Sequence, residues 1–227
     1  STSLMSCFTF KYSMLHTSWL ICLLTALLVD FTEASGCLNL NGLPNVDANK
    51  LFCDQPVFIN FLPDTEENRL IDNACFTAFP LPDDPHTAMS YLSRVYCDGS
   101  TDVMTLVVAD VESGKVRAAN PLSTLLYTFF GYAGCDTRLV YQCNEYTPAG
   151  NVPPTVFGVS TQCRPLGLSC LSKVEEIIQE NGIQDVSYYV LPMKLPNRCV
   201  TQRQCFIPNS INQFHKALGL PGPIHSL

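Results

Sequence analysis

Ten of this chain's twelve cysteines lie beyond position 36, and they constrain its fold more than any other feature of its 227 residues. They are Cys37, Cys53, Cys75, Cys97, Cys135, Cys143, Cys163, Cys170, Cys199 and Cys205. An even set at this density reads as a framework of up to five disulfides, which form and persist in oxidising compartments. Zinc ligation needs close Cys-x-x-Cys or Cys/His pairs. The tightest pairs here, Cys199/Cys205, Cys163/Cys170 and Cys135/Cys143, are spaced more widely, and the only histidines beyond position 36 are His86, His215 and His225. No metal and no cofactor is expected.

The compartment has its own signal. Residues 19–29 form an almost unbroken apolar run, closed by the small residues Ala34, Ser35 and Gly36. Such a run is shorter than the ~20 residues that span a bilayer, and its flanks fit a cleaved signal peptide. Residues 1–36 are therefore expected to be upstream sequence plus signal peptide, and 37–227 one secreted, extracellular domain. No later stretch approaches membrane-spanning length, so no membrane insertion is expected. The formal net charge is −7 with no basic run, which argues against nucleic acid and anionic membranes as partners.

Beyond the signal segment, short runs rich in Val, Ile, Phe, Tyr and Thr dominate, each closed by Pro, Gly, Asn or Asp. They predict strands over 57–62, 74–79, 89–96, 103–109, 115–119, 124–132, 137–143 and 155–161, with Glu112-Ser113-Gly114 as a hairpin turn. Eight such strands fit either a sandwich or an up-and-down barrel, and periodicity does not choose. One helix comes after them. Ser172 and Glu175 fit a capping box, with Ser169 an alternative cap one turn earlier. Leu171, Val174, Ile177 and Ile178 make a single apolar stripe, and Asn181-Gly182 supplies the left-handed stop. An edge strand is expected within 186–191, and a loop-like tail from Pro208.

Eight strands followed by one flanking helix resemble the lipocalins, especially the apolipoprotein D and insect bilin-binding branch. Residues 45–52 look like the segment preceding the family's Gly-x-Trp signature, although Cys53 stands in the Gly position and Gln55 in that of the Trp. Residues 139–143 resemble the family's seventh strand. Arg164 stands where the family's Arg packs on the signature Trp. Loss of the signature is common among diverged arthropod lipocalins, such as salivary ones. The resemblance implies an all-β fold with one helix: an eight-stranded antiparallel up-and-down barrel with a C-terminal flanking helix. It also implies two disulfides, Cys37–Cys143 and Cys75–Cys199, and leaves the pairing of the other six cysteines open.

A barrel of this size holds one small ligand. Matching the family's inward positions places Gln55, Val57 and Ile59 inside from the first strand, and Phe76 and Ala78 from the second. The fourth strand gives Met104, Leu106 and Val108, with little to separate them from its other face. Tyr127 and Phe129 come from the sixth, Arg138, Val140 and Gln142 from the seventh, and Phe157 and Val159 from the eighth. This lining is mostly apolar and suits a hydrophobic ligand held by burial. Burying about 300 Å² of ligand at about 25 cal/mol/Å² contributes about 7 kcal/mol before binding costs. Arg138 is a candidate counter-ion for a lipid-like carboxylate, against the plainer reading of a rim Arg reaching water. The strand interiors offer almost no carboxylates, since Asp110 and Glu112 lie at a turn, and amine binding ranks below hydrophobic or anionic ligands.

The leading expectation is thus a secreted carrier or scavenger of a small hydrophobic ligand. An enzyme is not expected: no Gly-x-Ser-x-Gly elbow occurs, and the histidines lie in loop or tail contexts. The alternative is a surface-binding antagonist, such as a protease or host-protein inhibitor, whose protein partner is unknown. It would use loops 63–73 and 147–154. There is no Asn-x-Ser/Thr sequon, so N-glycosylation is not expected.

Overall fold

Strand alternation can bury only one face of a sheet unless something covers the other, and this chain covers both. A computed structural model of the protein describes residues 36–44, 46, 55–81, 84–146 and 153–200. The chain divides into two units, Ser1–Cys37 and Leu38–Leu227. The signal-peptide expectation, Cys53, Cys205 and the tail from Pro208 lie outside the described residues. The strands and the helix all belong to the second unit.

Its strands are β1 (Val57–Pro63), β2 (Ile71–Leu81), β3 (Asp84–Tyr96), β4 (Thr101–Glu112), β5 (Lys115–Asn120), β6 (Ser123–Gly134), β7 (Thr137–Tyr146) and β8 (Thr155–Ser160). Helix α1 (Leu168–Glu180) and a short β9 (Tyr188–Val190) complete it. Every neighbouring pair is antiparallel, from β2 in order round to β8 and then β1. The circle closes because β1 pairs with β8 along much of its length and with β2 at Val57↔Phe76 and Phe58↔Cys75. β9 pairs with the far end of β1. This is a closed eight-stranded up-and-down barrel with one flanking helix.

Even-numbered residues of β2, β3, β4 and β5 point inward. The inner cluster includes Ala74, Phe76, Ala78, Ala88, Leu106, Val108, Val116 and Ala118. Odd-numbered neighbours are apolar too: Leu81, Met89, Tyr91, Val107, Ala109 and Ala119 form a second cluster on the outer face, with Val200 packed against it. The disulfide Cys75–Cys199 ties the C-terminal segment to β2 beside that cluster. Cys37 and Cys143 are each disulfide-bonded. Cys135–Cys170 fastens the β6–β7 turn to the first turn of α1, while Cys97 and Cys163 are exposed and free among the described residues.

Helix α1 begins earlier than a capping box at Ser172 requires. Cys170 is buried and bonded to Cys135, which holds the first turn ahead of Ser172. The Ser172 hydroxyl instead donates back to the Leu168 carbonyl, and Ser169 also falls inside the helix. Val174, Ile177 and Ile178 are buried, each worth about 2 kcal/mol of apolar transfer. The helix sits so close to β6 that a Cβ on Gly131 would stand 2.5 Å from Ile177 Cγ2. The helix stops as its sequence demands, with Gly182 left-handed at φ +70.

Segment 38–46 crosses the β4–β5 turn. Leu43 N donates to Phe129 O, Gly114 N donates to Val46 O, and Val46 packs on the inner cluster. Gly114 has φ +73, and a Cβ there would lie 2.6 Å from the backbone nitrogen of Leu43. Gly114→Ala is therefore expected to lose about 2 kcal/mol or more, from left-handed strain and a backbone clash, as read by urea unfolding.

Candidate ligand-binding site in the barrel

The barrel's two ends differ. The end of β2, the start of β3 and the β4–β5 and β6–β7 turns gather at one end, the lower end. The β1–β2, β3–β4 and β5–β6 connections, the end of β7 and the start of β8 gather at the other. At the lower end and middle the interior is packed. Val57 and Ala118 are 0% exposed, Phe129, Val140 and Val159 1%, and Ile59, Ala78 and Leu106 are similarly closed.

Toward the upper end the inward residues regain accessible surface. Phe76 and Phe157 keep a little, Leu92 and Tyr127 more, and Met104 is 36% exposed. Phe157 meets Tyr127 edge-on at 5.8 Å and Phe76 at 6.5 Å, so three rings floor this opening. Tyr127 keeps part of its surface accessible, yet burial alone pushes its phenol well above the usual tyrosine range. The upper interior, less closed than the packed base, is the barrel's cup.

At the rim, the inward register of β3 and β4 carries charge. Arg94 pairs across the hairpin with Asp102, Nε to Oδ1 at 2.9 Å and Nη2 to Oδ2 at 2.5 Å. Tyr96 donates to the same carboxylate at 3.3 Å, and Glu67 stands 3.5 Å from Arg94. The hydrogen bond to Asp102 outweighs partial burial and holds the Arg94 guanidinium above its ordinary pKa. Asp102 is a rim carboxylate, its side chain 41% exposed, one inward step above Met104. Extending the Met104, Leu106, Val108 register by one step would have found it.

The other inward candidates divide by depth. Val57, Ile59, Ala78, Leu106, Val108, Phe129, Val140 and Val159 form the packed base and middle; Phe76, Tyr127, Phe157 and Met104 lie one inward step further toward the upper end along their own strands. Gln55 precedes β1 and is exposed, outside the lumen. Arg138 lies at the lower end, away from the cup. Its guanidinium is 3.8 Å from Asp136 and 5.8 Å from the centre of the Tyr132 ring. An already compensated cation at the packed end cannot serve as counter-ion to a ligand in the cup, so that expectation is corrected.

An antiparallel up-and-down barrel, closed round its strands and flanked by a helix after its last barrel strand, defines a class of small all-β barrels. The chain has the lipocalin fold. It is similar to the cockroach allergen Per a 4 at TM-score 0.51 and 11% identity, covering 69% of this chain and 94% of that one. It is also similar to insecticyanin from the tobacco hornworm Manduca sexta at TM-score 0.51 and 13% identity, covering 74% and 88%. The tryptamine complex of the Rhodnius prolixus amine-binding protein aligns at TM-score 0.50 and 14% identity, covering 83% and 98%. No protein-family model and no curated protein sequence matches the chain.

Proposed function

We propose that this protein is a secreted carrier or scavenger that holds a small hydrophobic ligand in the upper barrel. One observation carries the reading: accessible apolar and aromatic surface at Met104, Leu92 and Tyr127 stands above a base that is otherwise closed. A ligand there displaces poorly held water from apolar walls and orients its polar end toward the rim. Arg94 is the cation such an end would meet, and Asp102 and Glu67 are the carboxylates competing for it. The three fold neighbours include one that binds tryptamine, which is in keeping with a small-molecule role. The disulfides suit an extracellular setting.

The test is native mass spectrometry of the purified protein after exposure to a mixture of lipids, haem and amines. A retained mass at one-to-one stoichiometry is the expected result. If every class passes through unbound, the carrier reading fails.

A second reading, recognition of a partner protein by the outer surface, has one observation in its favour. A concavity of about 500 Å³ lies outside the barrel between the end of α1 and residues 182–188. Two carboxylates, Glu175 and Asp185, line it beside Ile178, Val186 and Tyr188, and no cation is among its described lining residues. Burial and a 2.8 Å hydrogen bond donated to Glu175 push the Tyr188 phenol up to about 12.

A further inference from the structure

The outer face of β2, β3, β4 and β5 is sealed from solvent, yet the described chain supplies little to seal it. Its outward apolar residues form one cluster: Leu81 on β2, Met89 and Tyr91 on β3, Val107 and Ala109 on β4, and Ala119 on β5. Val107 and Ala119 are 0% exposed and Met89 1%. An antiparallel wall with one face on the core ordinarily turns the other to water. Burial this complete on the outward face requires a cover.

Elsewhere on the barrel the covers are visible. Helix α1 lies on β6 through Ile177, and segment 38–44 reaches Tyr141 on β7 and Phe129 on β6. On the β2–β5 face, the partly buried hydrophobics packed against the cluster among the described residues are Phe79 and Val200, and Phe79 belongs to β2 itself. Pro196, Asn197 and Arg198 are exposed, so they cover nothing. Val200 is anchored near β2, because its neighbour Cys199 is bonded to Cys75. Cys75 stands opposite Ser93, and Ser93 opposite Val103. Val107 is therefore two strands across and four residues along from Cys75, about 16 Å away. An apolar contact reaches about 4 Å. Val200 alone cannot close Val107, still less Ala119 on the next strand.

We infer that this face is the docking surface for the chain's own residues 201–220, with Ile211, Phe214 and Leu218 seated on the outer cluster. Val200 is the last described residue, it stands at the edge of the patch, and residues 201–227 follow it. An extended chain covers about 3.3 Å per residue, so Val107 comes within reach about five residues on. Within the tail, 210–219 departs from loop composition. Ser210 and Gln213 fit a capping box, and Ile211, Phe214 and Leu218 recur at i, i+3 and i+7. Gly219 follows as a stop and Pro221 bars continuation. Asn212, Gln213 and Lys216 fall on the other side of the same helical pattern. A helix over 211–218 is about 12 Å long, and β2 to β5 is about 14 Å wide. The Cys75–Cys199 bridge tethers this segment at the patch, at an effective concentration of about millimolar that favours it over a second copy. The docked segment lies outside the wall and does not depend on what the cup holds.

The test places a fluorophore in the tail. Trp19 is the chain's one tryptophan, so Trp19→Phe/Phe214→Trp leaves a single indole at position 214. In the full chain its emission should be blue-shifted and shielded from acrylamide, as for a buried indole. Adding Leu218→Asp should shift the emission to that of an exposed indole while the circular dichroism of the barrel is kept. Adding Ala119→Glu should do the same from the other side of the contact. Leu218→Asp changes no described residue and decides the matter if Ala119→Glu fails to fold. An indole exposed from the outset, or one that stays buried after either substitution in a folded protein, overturns the proposal. Burial that develops only as protein concentration rises, together with a dimer in sedimentation, assigns the face to a second copy and overturns it as well.

Discussion

Phe129→Ala is expected to cost about 4 kcal/mol of folding stability, and Met104→Ala about 1 kcal/mol or less. Both side chains belong to the inward-facing register, but they stand at different depths. Phe129 is 1% exposed in the packed base, and its backbone is held by Gly114 O and by Leu43 N. Truncating it opens a void that neighbouring β-branched residues cannot collapse to fill. Met104 already faces open space at the upper end, so its truncation enlarges the cup without creating a sealed cavity.

Binding should show the reverse asymmetry. Met104→Ala removes apolar contact from the ligand's side and should weaken the ligand retained in native mass spectrometry by about tenfold, a loss of about 1.4 kcal/mol. Phe129→Ala should bind with nearly unchanged affinity under conditions where it remains folded. Urea unfolding gives the stabilities, and a ligand titration of each variant gives the affinities. If Phe129→Ala abolishes binding while folded, the ligand reaches the base and the placement of the cup is wrong.

The strands were legible because turn residues punctuate them, and all eight expected runs lie in observed strands apart from end shifts such as Thr161. Alternation was less informative, for a physical reason. In β4 the outward residues Val107 and Ala109 are as apolar as the inward pair Leu106 and Val108, because the outer cluster is covered by the segment bearing Val200. In β7 the outward Leu139 lies beneath α1, and the outward Tyr141 is buried with its hydroxyl accepting from Leu38 N at 2.9 Å. Hydrophobicity alone would have turned that strand inside out. The family's register, not composition, gave its inward face.

What stayed hidden depends on contacts distant in sequence. Asp102 and Arg94 meet through hairpin register, and the strand expected from 103 stopped one residue short of the carboxylate. Arg138 shares the inward register with Val140, yet the bulges in the β6–β7 pairing place it opposite Tyr132, near the turn. Cys135–Cys170 joins a hairpin turn to a helix, a pairing that cysteine spacing leaves among many alternatives.

Removing Cys75–Cys199 by the double substitution Cys75→Ala/Cys199→Ala should cost more than removing Cys135–Cys170 in the same way. The two bridges span sequence separations of 124 and 35 residues. Chain entropy alone assigns them about 5 and about 4 kcal/mol, a difference too small to rank them securely. The shorter loop also lies wholly within the longer one, so the two values do not add. Packing makes the ranking firm. Cys75–Cys199 holds the segment carrying Val200 on Phe79 and the outer cluster of Met89, Tyr91 and Val107. Without it that segment can peel away and return apolar surface to water. Cys135–Cys170 fastens a helix that keeps its own anchors, because Val174, Ile177 and Ile178 remain buried against the sheet. Urea unfolding of both double variants decides the matter. A smaller loss for Cys75→Ala/Cys199→Ala than for Cys135→Ala/Cys170→Ala would mean that the C-terminal segment stays seated by packing alone. The outer cluster, rather than the disulfide, would then be what completes the barrel's second apolar face.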